Sequence, residues 1–114
     1  MKHYTVQEIA DRMGLRILCS RSGLQKTVTG GYVSDLLSDV MGNAKEGEIW
    51  ITLQSHMNVI AIASLKELSA VVLVKDIHPG DAVIAKAEEE GIPVLVAAGP
   101  AFETVGKIYD ILNN

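Results

Sequence analysis

The sequence predicts an α/β fold: a mostly parallel sheet with helices covering it. Three observations carry this. Strand-like and helix-like segments alternate three times over residues 47–112, which calls for parallel strands joined by crossover helices. Ala70-Val71-Val72-Leu73-Val74 is almost wholly apolar, the mark of a strand buried on both faces. The chain is 48% hydrophobic and 21% charged, the mix of a folded domain, and at 4% aromatic its core has to be aliphatic.

The elements follow in order. Thr5-Val6-Gln7-Glu8 is a capping box, a hydroxyl at the N-cap and a carboxylate three residues on. Val6, Ile9, Ala10 and Met13 then mark one helical face, and Gly14 is a natural stop, so a helix spans 5–13. Leu15–Cys19 reads as a strand, and Ser20–Gly23 as a turn. Thr27-Val28-Thr29 is β-prone and runs into Gly30-Gly31, a pair that permits turns and close backbone approach. Val33–Met41 reads as a helix with Ser34 at its N-cap, closed by Gly42-Asn43. Strands are expected at 48–53, 70–74 and 93–97, the last with Pro93 at its first position. Helices are expected at 56–65, 79–90 and 102–112, with Pro79 in a first turn and Gly91 past an end.

At 114 residues the chain has room for one domain, 1–114. Ten basic against 14 acidic residues give a net charge of −4, which disfavours non-specific nucleic-acid binding. One cysteine, Cys19, can make no internal disulfide, so a reducing cytoplasm is expected. On a strand it reads as a small core residue rather than a nucleophile. The polar N-terminus lacks the apolar stretch of a signal peptide, and no apolar run reaches the ~18 residues of a membrane span.

In an open parallel sheet, ligands bind outside the carboxyl ends of the strands. Four segments are expected to converge there: Thr29-Gly30-Gly31, Gln54-Ser55-His56, Lys75-Asp76-Ile77-His78 and Ala98-Gly99-Pro100. Each precedes a helix N-terminus, whose free amides favour anions. Gly30-Gly31 can bring amides to a phosphate or simply form a tight turn. His56 can bond a ligand or carry a proton, or bond the nearby backbone. Asp76 with His78 can act as an acid–base pair or only shape the turn before Pro79. Ser55 and Asn58 complete the candidate set. Three scattered histidines and one cysteine lack metal-ligand spacing, so no metal and no cofactor is expected.

Two motifs fail on inspection. Gly99–Lys107 resembles a phosphate-binding Walker loop, yet six residues separate its glycines where four are required, and Ile108 stands where Ser or Thr would bind magnesium. Thr5–Leu15 resembles the first helix of a helix-turn-helix, yet an extended segment follows where a recognition helix is needed. No nucleophile, base and orienting group can be assembled, so no catalytic residue is assigned.

The run Thr27–Val40, followed by Gly47-Glu48-Ile49-Trp50-Ile51-Thr52-Leu53-Gln54-Ser55-His56-Met57-Asn58, resembles the DRTGG domain family and, more distantly, the N-terminal domain of HPr kinase/phosphorylase. Thr29-Gly30-Gly31 keeps the end of the signature pentapeptide. Lys26 or the residues near it stand in for its acidic-basic pair. The resemblance implies a three-layer α/β/α sandwich and a regulatory or accessory role. Related domains occur beside CBS pairs in some pyrophosphatases and before the catalytic part of some phosphotransacetylases. The kinase P-loop lies in a separate domain, so kinase activity is not expected of this chain.

Two readings follow. One is a module sensing a small anionic ligand, a nucleotide or phosphorylated metabolite, at Thr29, Gly30, Gly31, Ser55, His56, Asn58, Asp76 and His78. The other is a homodimeric interaction module that docks on a partner enzyme and has no ligand of its own. For the second, the apolar residues Val59, Ile60, Ile62 and Ala63 of one helix are numerous enough to cover both a sheet and a partner.

Overall fold

The computed structural model describes residues 3–114. A short strand β1 (Tyr4–Thr5) leads into α1 (Val6–Met13). The capping box forms as the sequence predicts: Thr5 Oγ1 accepts from the Glu8 amide, Glu8 Oε1 accepts from the Thr5 amide, and Gly14 ends the helix. Then come β2 (Arg16–Cys19), a single 3₁₀ turn (Arg21–Gly23), β3 (Thr27–Val28) and β4 (Gly30–Val33). The remainder is α2 (Leu37–Asn43), β5 (Glu48–Thr52), α3 (Met57–Leu65), β6 (Ala70–Leu73), α4 (Asp81–Glu90), β7 (Val94–Val96) and α5 (Ala101–Asn113).

Five strands form one sheet in the order β2-β7-β6-β5-β4, while β1 and β3 pair apart from it. From β4 to β7 each strand lies beside its predecessor and parallel to it. β2 joins the far edge antiparallel to β7, with a bulge between Ile17 and Cys19. The antiparallel sense puts the start of β2, Arg16, beside Val96 at the carboxyl end of β7.

The pleat sends alternate residues to opposite faces, and each face has its own core. Ile49, Ile51, Val72 and Leu95 pack with Val6 and Ile9 of α1 and Ile108 and Leu112 of α5. Trp50, Val71, Leu73 and Val94 pack with Val40 of α2, Val59 and Ile60 of α3, and Ala87 of α4. The result is the three-layer α/β/α sandwich. β6 is buried at every position, as its apolar run requires. Trp50, the one aromatic side chain among the buried described residues, donates its indole N–H to the Ser34 carbonyl (2.9 Å).

The region after residue 29 departs from the sequence reading. Gly30-Gly31 is not a turn but the start of edge strand β4, because Gly30, Gly31, Tyr32 and Val33 pair in register with Glu48–Ile51. The helix expected at 33–41 therefore begins at Leu37 and runs to Asn43, with Gly42 inside it. Ser34 does not cap it; its hydroxyl accepts from the Leu36 amide in a local turn. Tyr32 Oη donates to Asp39 Oδ2 (2.9 Å) and ties α2 to β4. That bond holds the Asp39 carboxyl below the usual range and pushes the Tyr32 phenol up.

A second departure concerns α3. Val59, Ile60, Ile62 and Ala63 are all buried within the chain itself. The helix packs against α2 on one side and α4 on the other as well as on the sheet. These four residues are spent inside the fold and are not available to a partner; the apolar side chains that α3 leaves exposed are Met57 and Leu65 at its two ends.

Candidate functional site

The helices after β4, β5 and β6 lie on one face, while α5, after β7, crosses to the other. Loops leaving β6 and β7 therefore diverge, which is where an open parallel sheet makes a crevice at its carboxyl ends. Arg16, Lys75, Asp76, His78 and the Ala98-Gly99-Pro100 turn meet there.

The loop after β6 is held in an uncommon shape. Lys75 (φ 58°) and Asp76 (φ 56°) are consecutive residues in the left-handed region, where a side chain costs roughly 1–2 kcal/mol per residue. Two backbone bonds fix them. The Lys75 amide donates to the Gly99 carbonyl (2.8 Å) and the Asp76 amide to the Ala97 carbonyl (2.9 Å), extending contact between the β6 and β7 ends past the strands.

This shape brings Asp76 Oδ1 to 3.2 Å from His78 Nε2. The same nitrogen lies 3.3 Å from Arg16 Nη1. Arg16 can only donate and an ionised Asp76 can only accept. A bare Nε2 accepts from Arg16, and a protonated Nε2 donates to Asp76. One ring atom cannot serve both, so Arg16 and Asp76 compete for it. All three side chains are exposed to solvent.

Three helices start on this side of the sheet. α3 begins after His56, α4 after Gly80 and α5 after Pro100, and no side chain caps any of them. Their first amides are orphaned, in contrast with the boxed start of α1. Asp81 and Glu103 lie in the first turns of α4 and α5 and offset their dipoles; α3 has no acid there. Ser55, His56 and Asn58 sit at that α3 start, with Ser55 half-buried and the other two exposed. The loop is tied down by Asp35, whose Oδ1 accepts from Thr52 Oγ1 (2.8 Å) and the Leu53 amide (2.7 Å).

The structure thus gathers five of the eight candidates, Ser55, His56, Asn58, Asp76 and His78, at the carboxyl ends. It does not bring Thr29, Gly30 and Gly31 there. Gly30 pairs with Glu48, the first residue of β5, so the glycine pair lies at the opposite, amino end of the sheet. The expected convergence of all four segments fails because 30–33 is a strand, and Ser34-Asp35-Leu36 takes the place at the carboxyl end. Neither glycine has a positive φ, and a Cβ on Gly31 would meet Ile49 at an ordinary 3.7 Å. The glycine that matters locally is Gly47: its φ is +83°, and a Cβ there would lie 2.6 Å from Thr29 Oγ1. Thr29 closes on that turn, donating its amide to Gly47 O and its hydroxyl to Glu46 O (both 2.9 Å).

Arg16, Lys75 and Asp35 are the site residues the sequence reading missed. Lys75 lies within the Lys75–His78 segment expected at the strand ends. Arg16 carries no local signal, because the antiparallel pairing of β2 with β7 is what puts it at the carboxyl end. Cys19 is buried, its thiol pushed up by desolvation, and it fits the core role expected of it.

A family model for the DRTGG domain matches residues 8–111. Among solved structures, the CBS and DRTGG domains of the regulatory region of Clostridium perfringens pyrophosphatase, complexed with its activator diadenosine tetraphosphate, match with a TM-score of 0.76. The match has 17% sequence identity and covers 95% of this chain but 47% of that one. At this identity the likeness speaks to fold, and the chain spans less than half of its structural relative. No curated protein gives a significant match.

Proposed function

The chain belongs to the DRTGG domain family, and from that premise we propose that residues 1–114 act as one non-catalytic regulatory or accessory module in the cytoplasm. Its ligand is a small anion, a nucleotide or phosphorylated metabolite, held at the carboxyl ends of the strands. The observation that carries this reading is the Arg16–His78–Asp76 group on a loop held in two consecutive left-handed residues. Backbone strain of this kind collects at ligand clamps and switches. Uncapped amides of α3, α4 and α5 and the Lys75 ammonium, which has no side-chain partner among the described residues, supply the remaining anion contacts. That the related pyrophosphatase regulatory region was solved with a dinucleoside polyphosphate supports the ligand class.

The mechanism follows from the competition for Nε2. A phosphate takes the Arg16 guanidinium in a bidentate pair. Released from Arg16, the neutral His78 ring exchanges its proton through solvent from Nδ1 to Nε2 and donates Nε2–H to Asp76. Binding exchanges an Arg16–His78 contact for a His78–Asp76 contact, and the loop that leads into α4 carries the change. No cofactor or metal enters this scheme.

The test is a thermal-shift series with nucleotides, dinucleoside polyphosphates and phosphorylated sugars. At 100 times its dissociation constant a ligand adds about 2.7 kcal/mol, roughly 10 °C in a domain of this size. A flat response at millimolar concentration contradicts the proposal.

A second reading, a homodimer, has its own observation. Phe102 (89% exposed) and Tyr109 (68%) project from α5, and Val33 (53%) lies beside them on β4. β4 is also an open edge strand, with no proline, lysine or bulge to blunt it. A second copy of the chain suits this surface, because two β4 edges can pair antiparallel about a two-fold axis and cover both α5 faces at once. Light scattering at high protein concentration tests it: a dimer that Phe102→Glu converts to monomer supports the reading. A monomer throughout sinks it, and docking on a partner enzyme becomes the remaining use of the face.

A further inference from the structure

We propose that a cleft at the amino ends of the strands is a second binding site, taking a small organic cation with spaced ammonium groups. The cleft has a volume of about 420 Å³ and is lined by Lys26, Glu46, Ser64, Glu67, Ser69 and Glu90, among others. That volume lies in the range of small-molecule sites.

Two independent observations point to a ligand. Ser69 lines the cleft at 1% exposure, and its Oγ has no hydrogen-bond partner among the described residues. Its backbone is fixed just before β6, the amide donating to the Glu48 carbonyl at 3.0 Å, so the buried hydroxyl lies under the cleft in a rigid position. A buried hydroxyl left unpaired in a native fold needs a missing partner. The second observation is charge. Glu46 and Glu67 make no side-chain bond or ion pair among the described residues, and they line the same cleft. Glu90 adds a third carboxylate, with Ser64 Oγ donating to it at 2.7 Å and Lys86 3.4 Å away. Lys26 is the one cation in the lining, and its Nζ is engaged on the Gly91 carbonyl at 2.9 Å.

The spacing of the acids selects the ligand. No three His, Cys, Asp or Glu side chains among the described residues gather closely enough to hold a metal ion. Carboxylates spread around one cleft match a chain of separated ammonium groups instead. One ammonium reaches Glu67 or Glu46 at the rim, and another donates inward to Ser69 Oγ. The site uses none of the carboxyl-end residues, so its failure and that of the anion site are separable.

The experiment is calorimetric titration of spermidine, with magnesium as competitor, into the wild type, Ser69→Ala and Glu67→Gln. Saturable one-to-one binding is expected to survive equimolar magnesium and to weaken about tenfold in each variant. Ser69→Ala is also expected to raise the melting temperature of the free protein, since it removes an unpaired buried group. Displacement by magnesium at equal concentration, or affinity unchanged in both variants, would show diffuse surface charge and overturn the proposal. A lowered melting temperature in Ser69→Ala would also overturn it, because the hydroxyl would then be satisfied within the protein.

Discussion

The two ends of the parallel sheet are built from the same strands and differ in almost every respect that matters for binding. At the carboxyl ends, Arg16 at the start of β2 and Lys75, Asp76 and His78 on the loop after β6 stand on the side where uncapped helices start, all four exposed. At the amino ends, a cleft is ringed by Glu46, Glu67 and Glu90 around a buried, unpaired hydroxyl. Strand polarity explains the first: helices that follow parallel strands point their amides to the carboxyl end. The second follows from the same geometry, since the helices end where the next strands begin and their carbonyl ends favour cations. The two rims of one sheet therefore differ in kind: cations and acids are interleaved at the carboxyl ends, with Asp81 and Glu103 in the first turns of α4 and α5, while carboxylates dominate the amino-end cleft.

The sharpest way to break this contrast is at Gly47, which shapes the amino end alone. Gly47→Ala forces a side chain into a left-handed turn and onto Thr29. A loss of about 3 kcal/mol is expected, read as a fall of roughly 10 °C in melting temperature. Gly31→Ala, in the signature motif, has ordinary room for its Cβ and is expected to change stability by no more than about 0.5 kcal/mol. Equal costs for the two would refute the placement of both glycines.

At the other end, Arg16→Ala is expected to weaken nucleotide binding at least tenfold, since a charge-assisted pair contributes about 1.5–3 kcal/mol. Its melting temperature should stay near that of the wild type, because Arg16 is exposed. A variant that destabilises without touching affinity would make Arg16 structural.

The smallest effect concerns pH. Ser64 and Lys86 hold the Glu90 carboxyl below its usual range. A depressed folded pKa contributes stability above the unfolded value, near pH 4.3, which is lost as pH falls through the folded value. Glu90→Gln should therefore flatten the acid limb of a stability–pH curve and leave it unchanged in shape above pH ~6. An unaltered acid limb would detach Glu90 from the rim.

Most of the fold was legible because its signals were local. The capping box at Thr5, the apolar run of β6 and the Gly91 stop each act over a few residues, and each is where the sequence reading put it. What misled was Gly30-Gly31. Glycine pairs favour turns, and only pairing with Glu48 and Ile49, far along the chain, makes this one a strand. Moving it one end of the sheet over displaced three of eight candidate residues. Arg16 was illegible for the same reason: its partner His78 lies 62 residues away across an antiparallel edge that no local pattern announces. The apolar α3 shows the converse. Its composition suggested a partner, and the structure supplies one internally in α2 and α4.

The most direct test of the central claim is calorimetric titration of diadenosine tetraphosphate and single nucleotides into the wild type, Arg16→Ala and Ser69→Ala. The account predicts saturable binding of at least one of them, weakened tenfold or more in Arg16→Ala and unchanged in Ser69→Ala. Binding that ignores Arg16, or none up to millimolar concentration, would contradict a carboxyl-end anion sensor.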